Sequence, residues 1–250
     1  MILRVQDVIF SYKSEKVLEN ITFEVNEGEL VAVLGPNGVG KTTLLRCINA
    51  ILKPQHGTVL IDNENLKHLH GMEVAKRIGY VAQHNEPVRL TAFDAILLGR
   101  KPHIRWNVSK KDMEIVDAAI KRLGLEHLML RYIDEMSGGE FQKVCIARAI
   151  VQEPKVLLLD EPTASLDLKN QLEILDFIKH VVTGHRITGL MAVHDLNTAF
   201  RYSDRFLFMK SGKIFAYGNI EDVRPEMIEK VYEVKVSVEK YKGNLLVIPV

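Results

Sequence analysis

The chain is poor in features that would narrow its setting at a glance. It has two cysteines in 250 residues, Cys47 and Cys145, too few for a disulfide framework. Both fall in apolar stretches with helical patterning, so reduced packing residues and a cytoplasmic setting are expected. Lys and Arg number 33 against 32 Asp and Glu, a formal net charge of +1, which gives no global electrostatic case for nucleic acid. No apolar run approaches the ~20 residues of a membrane span. A soluble chain is expected, with any membrane role supplied by a partner. The opening residues, MILRVQDVIF, are too polar for a signal peptide, and no internal repeat or low-complexity tract is present. What the chain does have is a 47% hydrophobic composition over a length that suits one or two domains with a good core.

The most informative stretch is GPNGVGKTT: Gly35, Pro36, Asn37, Gly38, Val39, Gly40, Lys41, Thr42 and Thr43. Two glycines five apart, followed by Lys-Thr, make the full phosphate-binding loop pattern. The apolar run 29–34 before it reads as a buried strand, and 44–52 after it as a helix ending before Pro54. Glycines let the backbone turn its N–H groups toward one point, and the following helix adds its positive end. Lys41 is a mobile point charge for the outer phosphates. Thr42 offers a hydroxyl to Mg²⁺, and Thr43 one to a phosphate. An ordinary Gly-rich turn with a chance lysine would not need a strand and a helix on either side.

In chain order, residues 2–10 and 20–25 alternate apolar and polar and predict two paired strands. Tyr12 lies in their connection; pattern alone favours a Tyr on a sheet edge over a plate for a purine ring. Short strands are predicted at 59–62 and 77–81, the second leading to Gln83, a residue able to meet Mg²⁺ or a water. Residues 88–150 read as helical, with starts at Thr91-x-x-Asp94 and Ser109-x-x-Asp112. Between them, residues 99–106 (GRKPHIRW) form a basic loop, expected as a solvated turn or a contact surface for protein or lipid head groups. Ser137 and Glu140 predict a capping box for a helix reaching about 152. With Gly138 and Gly139 beside them, they also make a second possible phosphate-binding helix end.

The second strong signal is the apolar strand 156–159 ending in Asp160 and Glu161. Adjacent carboxylates at a buried strand end are costly unless they hold a cation or move a proton. Beside a phosphate-binding loop, Asp160 is read as holding Mg²⁺ through water and Glu161 as polarising the attacking water. A helix at 169–182 and a strand at 187–193 follow, the strand ending on His194, a residue able to touch a terminal phosphate but more often structural. A short helix at 198–202, strands at 205–209 and 213–217, and a tail with a helix and two strands complete the pattern.

Taken together, these marks resemble the nucleotide-binding subunit of ABC transporters, in the family's order and over nearly the whole chain. Gln83 resembles the Q-loop residue, Met136-Ser-Gly-Gly-Glu140 the signature motif, Ser165-Leu-Asp167 the D-loop and His194 the switch histidine. Met136 and Glu140 stand where the family usually has Leu and Gln. The resemblance implies an α/β P-loop NTPase fold of the ABC-ATPase type, with a central mostly parallel sheet, an antiparallel β subdomain and an α-helical subdomain. Residues 1–87 and 151–224 would form the core with the β subdomain, 88–150 the helical subdomain, and 225–250 a C-terminal extension.

The implied activity is Mg²⁺-dependent ATP hydrolysis. Glu161, His194, Gln83 and Lys41 would be catalytic, and Thr42, Gln83 and Asp160 would meet the metal. Nucleotide would contact residues 35–43, Asp167 and Tyr12, whose place in the family reverses the sheet-edge reading. Ser137, Gly138, Gly139 and Glu140 would serve the nucleotide of a second, head-to-tail copy. Further implied partners are integral membrane permease subunits and, through them, an extracytoplasmic substrate-binding protein, at the cytoplasmic face of the membrane. The segments 98–103 (LGRKPH) and 194–205 resemble importers of iron-siderophore, haem and cobalamin; molybdate or tungstate importers stay open. A soluble ABC ATPase of iron–sulfur cluster assembly shares the catalytic motifs but not LGRKPH. An exporter or lipoprotein-release ATPase would share the class but not the direction. A DNA-repair ATPase would need a long coiled coil that the sequence lacks, and a non-hydrolysing nucleotide module sits poorly with Asp160, Glu161 and His194 together.

Overall fold

Residues 30–34, 156–160 and 188–192 are three strands in which every residue is buried. Strands apolar on both faces belong in the middle of a parallel sheet covered on both sides, and that is where they lie. A computed structural model describes every residue except 84, 85, 87 and 165, so the D-loop serine Ser165 and much of the segment after Gln83 lie outside the described residues.

The chain runs β1 (Leu3–Tyr12), β2 (Glu15–Val25), β3 (Leu30–Leu34), α1 (Lys41–Ile48), β4 (His56–Ile61), β5 (Glu64–Asn65), α2 (Gly71–Ala75), β6 (Ile78–Val81), α3 (Ala92–Leu97), α4 (Lys110–Arg122), α5 (Gly138–Ile150), β7 (Val156–Asp160), α6 (Leu168–Gly184), β8 (Thr188–Ala192), α7 (Leu196–Tyr202), β9 (Arg205–Lys210), β10 (Lys213–Asn219), α8 (Pro225–Tyr232), β11 (Val236–Tyr241) and β12 (Asn244–Pro249). Six strands form the main sheet in the order β10-β9-β3-β8-β7-β6, parallel except for the β9–β10 hairpin. A separate antiparallel sheet has the order β2-β1-β4-β5, and β11 pairs only with β12.

Strand alternation divides the core. Leu30, Ala32 and Leu34 of β3 pack with Leu157 and Leu159 of β7 against α5, α6, α7 and α8. Val31 and Val33 face the other way, with Val156 and Leu158, against α1 and the antiparallel sheet. A third cluster is built from α3, α4 and α5 (Ile96, Val116, Ile120, Val144). Boundaries shift modestly from the sequence expectation: α1 begins at Lys41 instead of 44, and Ala50, at φ 55°, follows its end. The short elements β5 and α2 carry too few residues for periodicity to reveal them.

The basic loop is corrected by the structure. It is not simply a solvated turn or an outward contact surface, because Arg100 turns inward and is only 3% exposed. Its Nε donates to Asp112 Oδ1 at 2.9 Å, and Nη1 donates to Val151 O at 2.6 Å and Glu153 Oε2 at 2.8 Å. His103 Nε2 meets Gln152 O at 2.9 Å. Gly99 allows this approach, since a Cβ there would stand 2.1 Å from Arg148 O. The segment thus ties the α3–α4 connection to the end of α5 and the approach to β7, while Lys101, Arg105 and Trp106 stay exposed.

Removing Arg100 would leave Asp112 buried without its cation. Arg100→Ala is expected to lower the unfolding free energy at pH 7 by about 3–5 kcal/mol, read by urea titration. The Ser109 hydroxyl and backbone N–H, and then Arg100, hold the Asp112 carboxyl down at about 2. A depressed carboxyl stabilises the fold above its unfolded value of about 4 and loses that contribution as pH falls through its folded value. Wild-type and variant midpoints are therefore expected to draw closer as pH falls from about 4 toward 2, by the part of the depression that Arg100 supplies, since the variant keeps Ser109. A gap that does not narrow would assign the cost to lost packing and to the lost hydrogen bond to Val151 O.

Candidate nucleotide site

β3, β8, β7 and β6 are neighbours running the same way, so their C-terminal ends share one edge of the sheet. In open parallel sheets this edge is where ligands collect. Each strand delivers a chemical group there: the glycine loop from β3, His194 from β8, Asp160 and Glu161 from β7, and Gln83 from β6.

The loop's shape depends on glycine where the chain is most crowded. A Cβ on Gly35 would lie 2.5 Å from Met209 O, and Gly38 and Gly40 have φ of 75° and 107°. Gly40 caps α1 with no side-chain acceptor, and the first turn holds no acidic residue. The free N–H groups and helix dipole there attract an anion. Lys41 is 6% exposed, with Nζ donating to Gly35 O at 2.7 Å and Pro36 O at 3.0 Å. Burial pulls its ammonium below the ordinary lysine value, while Glu161 and Asp160 pull the other way. Val39 is 9% exposed and packs in the core, so its contribution to the loop is backbone and packing.

Asp160 is wholly buried. Thr42 Oγ1 donates to its Oδ1 at 2.9 Å, and the Tyr80 hydroxyl to its Oδ2 at 3.3 Å. Burial nonetheless holds the carboxyl above the ordinary aspartate value. A cation shared by Thr42 and Asp160 would relieve that desolvation, and a hydroxyl with a carboxylate is the hard oxygen set that Mg²⁺ takes alongside phosphate oxygens. Among the described residues no group of three or more His, Cys, Asp or Glu could hold a metal unaided.

Glu161 has φ 52°, an uncommon conformation for a residue with a side chain. Its N–H donates to Ala192 O of β8 at 3.0 Å, and its carbonyl accepts from Ala164 N at 3.1 Å. This turn aims the carboxylate across the strand ends. Gln83 Nε2 donates to Oε2 at 2.7 Å, and His194 Nε2 meets Oε1. Glu161 is mostly covered, with 11% of its side chain exposed, and His194 is half open at 46%. The resulting cavity of about 290 Å³ is lined by Asn37, Gly38, Gly40, Lys41, Thr42, Thr43, Gln83, Glu161 and His194.

Other residues singled out in the sequence lie outside that lining. Tyr12 ends β1, 44% exposed and edge-on to Phe10 with centroids 4.8 Å apart. Asp167 caps α6, its Oδ1 accepting from Asn170 N and its Oδ2 from Asn170 Nδ2, both at 2.8 Å. Ser137 and Glu140 form the capping box of α5, with Glu140 Oε2 accepting from both Ser137 N and Oγ at 2.8 Å. Those bonds hold the Glu140 carboxyl below its ordinary value. Tyr80 was not legible as a site residue. Its only signal is a phenol in an otherwise apolar strand that pairs with β7, Tyr80 opposite Leu158.

The chain is similar to known proteins over its length. The ABC transporter family model matches residues 18–164. An ABC transporter ATP-binding protein of Methanocaldococcus jannaschii, MJ0089, is 54% identical over 100% of this chain and 98% of its own length. The ferric enterobactin transport ATP-binding protein FepC of Escherichia coli is 36% identical over 99% of this chain and 93% of its own. Among solved structures, a metal-chelate type ABC transporter in an inward-facing conformation superposes with a TM-score of 0.85 at 28% identity, over 100% of this chain and 97% of that one. With the phosphate loop, the Glu161 carboxylate and the strand-end histidine lining one cavity, and a relative above half identity from end to end, the chain belongs to the ABC transporter family as one of its ATP-binding ATPase subunits.

Proposed function

We propose that this chain energises an importer of a metal chelate, such as an iron-siderophore, haem or cobalamin, by binding and hydrolysing ATP at the cytoplasmic face of the membrane. The observation that carries the ATPase reading is the convergence of Gln83, Glu161 and His194 on the cavity that also holds the Lys41 and Thr42 side chains. The cargo class is supported by the ferric enterobactin relative and the metal-chelate type structural neighbour. Consistent with a partner-borne membrane role, no helix among the described residues is long and apolar enough to cross a membrane.

Within the site, the loop N–H groups and Lys41 hold the phosphates, and Lys41 must leave the Gly35 and Pro36 carbonyls to do so. Thr42, Asp160 and Gln83 hold Mg²⁺, which supplies charge neutralisation at the phosphates. Glu161 orients and polarises the attacking water, and His194 contacts the terminal phosphate. Both Glu161 oxygens are engaged here, by Gln83 and His194, so hydrolysis requires one of them to be released. Tyr12 stacks on the base outside the phosphate cavity. Ser137, Gly138, Gly139 and Glu140, with Asp167, complete the site of a second copy arranged head to tail. That arrangement accounts for a signature helix that lines no part of its own chain's phosphate cavity. Residues 88–150 carry the motion to permease subunits, which receive cargo from an extracytoplasmic binding protein.

Glu161→Gln is expected to keep ATP affinity, lower turnover by about 100-fold or more and accumulate an ATP-bound dimer on gel filtration. Near-normal hydrolysis would remove Glu161 as the catalytic carboxylate. In dimers mixing Ser137→Arg with wild-type chains, one nucleotide site in each dimer is expected to fail, counted by trapped radiolabelled nucleotide. Two working sites would exclude the head-to-tail arrangement. Affinity purification from membranes in mild detergent should recover a polytopic protein in stoichiometric amount. Recovery with soluble partners alone would instead favour a scaffold ATPase.

A further inference from the structure

The C-terminal segment from Pro225 onward lies away from the phosphate cavity, yet it is latched to the helix that follows His194. Asn197 Nδ2 donates to Val247 O at 3.2 Å, and Val247 N donates to Asn197 Oδ1 at 2.7 Å. One side-chain amide thus pairs with both backbone groups of one β12 residue, as a neighbouring strand would. The contact is directional as well as apolar. Val236 and Val247 of the hairpin are buried in the same cluster as Ala199, Phe200 and Tyr202 of α7 and Ile228 and Val231 of α8.

Asn197 is also tied to the start of α7. Asp195 caps that helix, accepting from Asn197 N at 3.2 Å and Thr198 N at 3.0 Å. His194 is held from two sides, by Val193, whose N–H donates to Val33 O at 3.3 Å, and by the Asp195 cap, so α7 sets one of the two ends from which it projects. The two hydrogen bonds are directional, and so add to the packing of Ala199, Phe200 and Tyr202 a constraint on how α7 is turned. The extension also reaches the phosphate loop: Tyr232, at the end of α8, is half-buried, with its hydroxyl enclosed beside the Gly35 backbone but without a well-formed hydrogen bond.

We propose that Asn197 is a positioning residue, which acts through α7 to aim His194 at Glu161, and that the β11–β12 hairpin is the anchor it works against. The inference rests on the reading of His194 as the group that contacts the terminal phosphate.

The test is a double-mutant cycle in the full chain, with steady-state ATPase kinetics and equilibrium binding of a fluorescent ATP analogue. Asn197→Ala is expected to lower kcat roughly 2- to 30-fold while analogue affinity stays within about twofold. The same substitution added to His194→Ala is expected to cause no further loss. Val181→Ala, which trims the same core cluster from α6, outside both α7 and the hairpin, should lower Tm without changing kcat. Should Asn197→Ala fold poorly, Asn197→Asp keeps the acceptor for Val247 N–H and loses the donor to Val247 O. It is then expected to show the same loss of kcat, again absent in the His194→Ala background.

A wild-type kcat in the Asn197 variant, or an equal fold-loss in both backgrounds, would overturn the positioning role. A kcat loss in Val181→Ala matching that of Asn197→Ala would do the same, by assigning the effect to packing. An unaffected His194→Ala enzyme is distinguishable from all of these, because it would overturn the reading of His194 itself and this inference with it.

Discussion

The register of one parallel sheet sets the geometry on which everything else depends. β3, β8, β7 and β6 pair in register, Val33 opposite Ala192, Asp160 opposite Ala192 and Val81 opposite Leu159. Their ends are therefore level to within a residue or two, and the groups just beyond them meet without any long loop to position them. The fully buried interiors of β3, β7 and β8 make this register stiff, because a slip by one residue would exchange the residues facing the two core clusters. Glu161 uses the remaining freedom, a left-handed turn pinned to Ala192 O, to leave the strand direction and reach Gln83 and His194.

On that edge the electrostatics are unfinished in a particular way. Burial disfavours the charged forms of both Asp160 and Lys41, pushing one up and the other down. Their hydrogen-bond partners are neutral, Thr42 and Tyr80 for Asp160 and two loop carbonyls for Lys41, and the opposite charges nearby, Arg46 for Asp160 and Glu161 and Asp160 for Lys41, do not offset the burial. A polyanion brought in with a divalent cation supplies both signs at once. The cation would stabilise the Asp160 carboxylate and the phosphates the Lys41 ammonium, so that ligand binding and relief of desolvation would be the same event.

Much of this was legible in the sequence because the relevant residues sit where secondary structure changes. Gly40-Lys41-Thr42 opens a helix, Asp160-Glu161 and His194 close or follow apolar strands, and Ser137-x-x-Glu140 caps a helix; each is a local pattern with a local physical cause. What pattern could not reveal depends on which elements meet. Tyr80 reads as one more apolar strand residue until β6 is placed beside β7. Arg100 reads as part of a basic surface until the end of α5 is brought over it. Val39 reads as loop until its burial shows it to be core. Residues 64–75 gave no signal because β5 and α2 are shorter than the period that would identify them. The Asn197–Val247 latch spans 50 residues and joins a helix to a hairpin, so neither partner marks the other.

The phosphate cavity and the signature helix are both well formed in the chain, yet they do not meet within it. Lys41, Thr42, Glu161 and His194 line the cavity; Ser137, Gly138 and Gly139 do not. The Ser137 hydroxyl and N–H are both turned to Glu140 of their own capping box, a self-contained arrangement that needs no ligand. Under the head-to-tail reading, the Ser137 hydroxyl must rotate from Glu140 toward the other chain's terminal phosphate, while the box keeps the backbone bond that holds the helix end in shape. Exchanging one hydroxyl bond for another is close to neutral in energy. The free energy that favours closure must then come mainly from the charge of the phosphate at the helix N-terminus. On that reading the association would be sensitive to whether the terminal phosphate is present, which is the property a hydrolysis-driven motor requires.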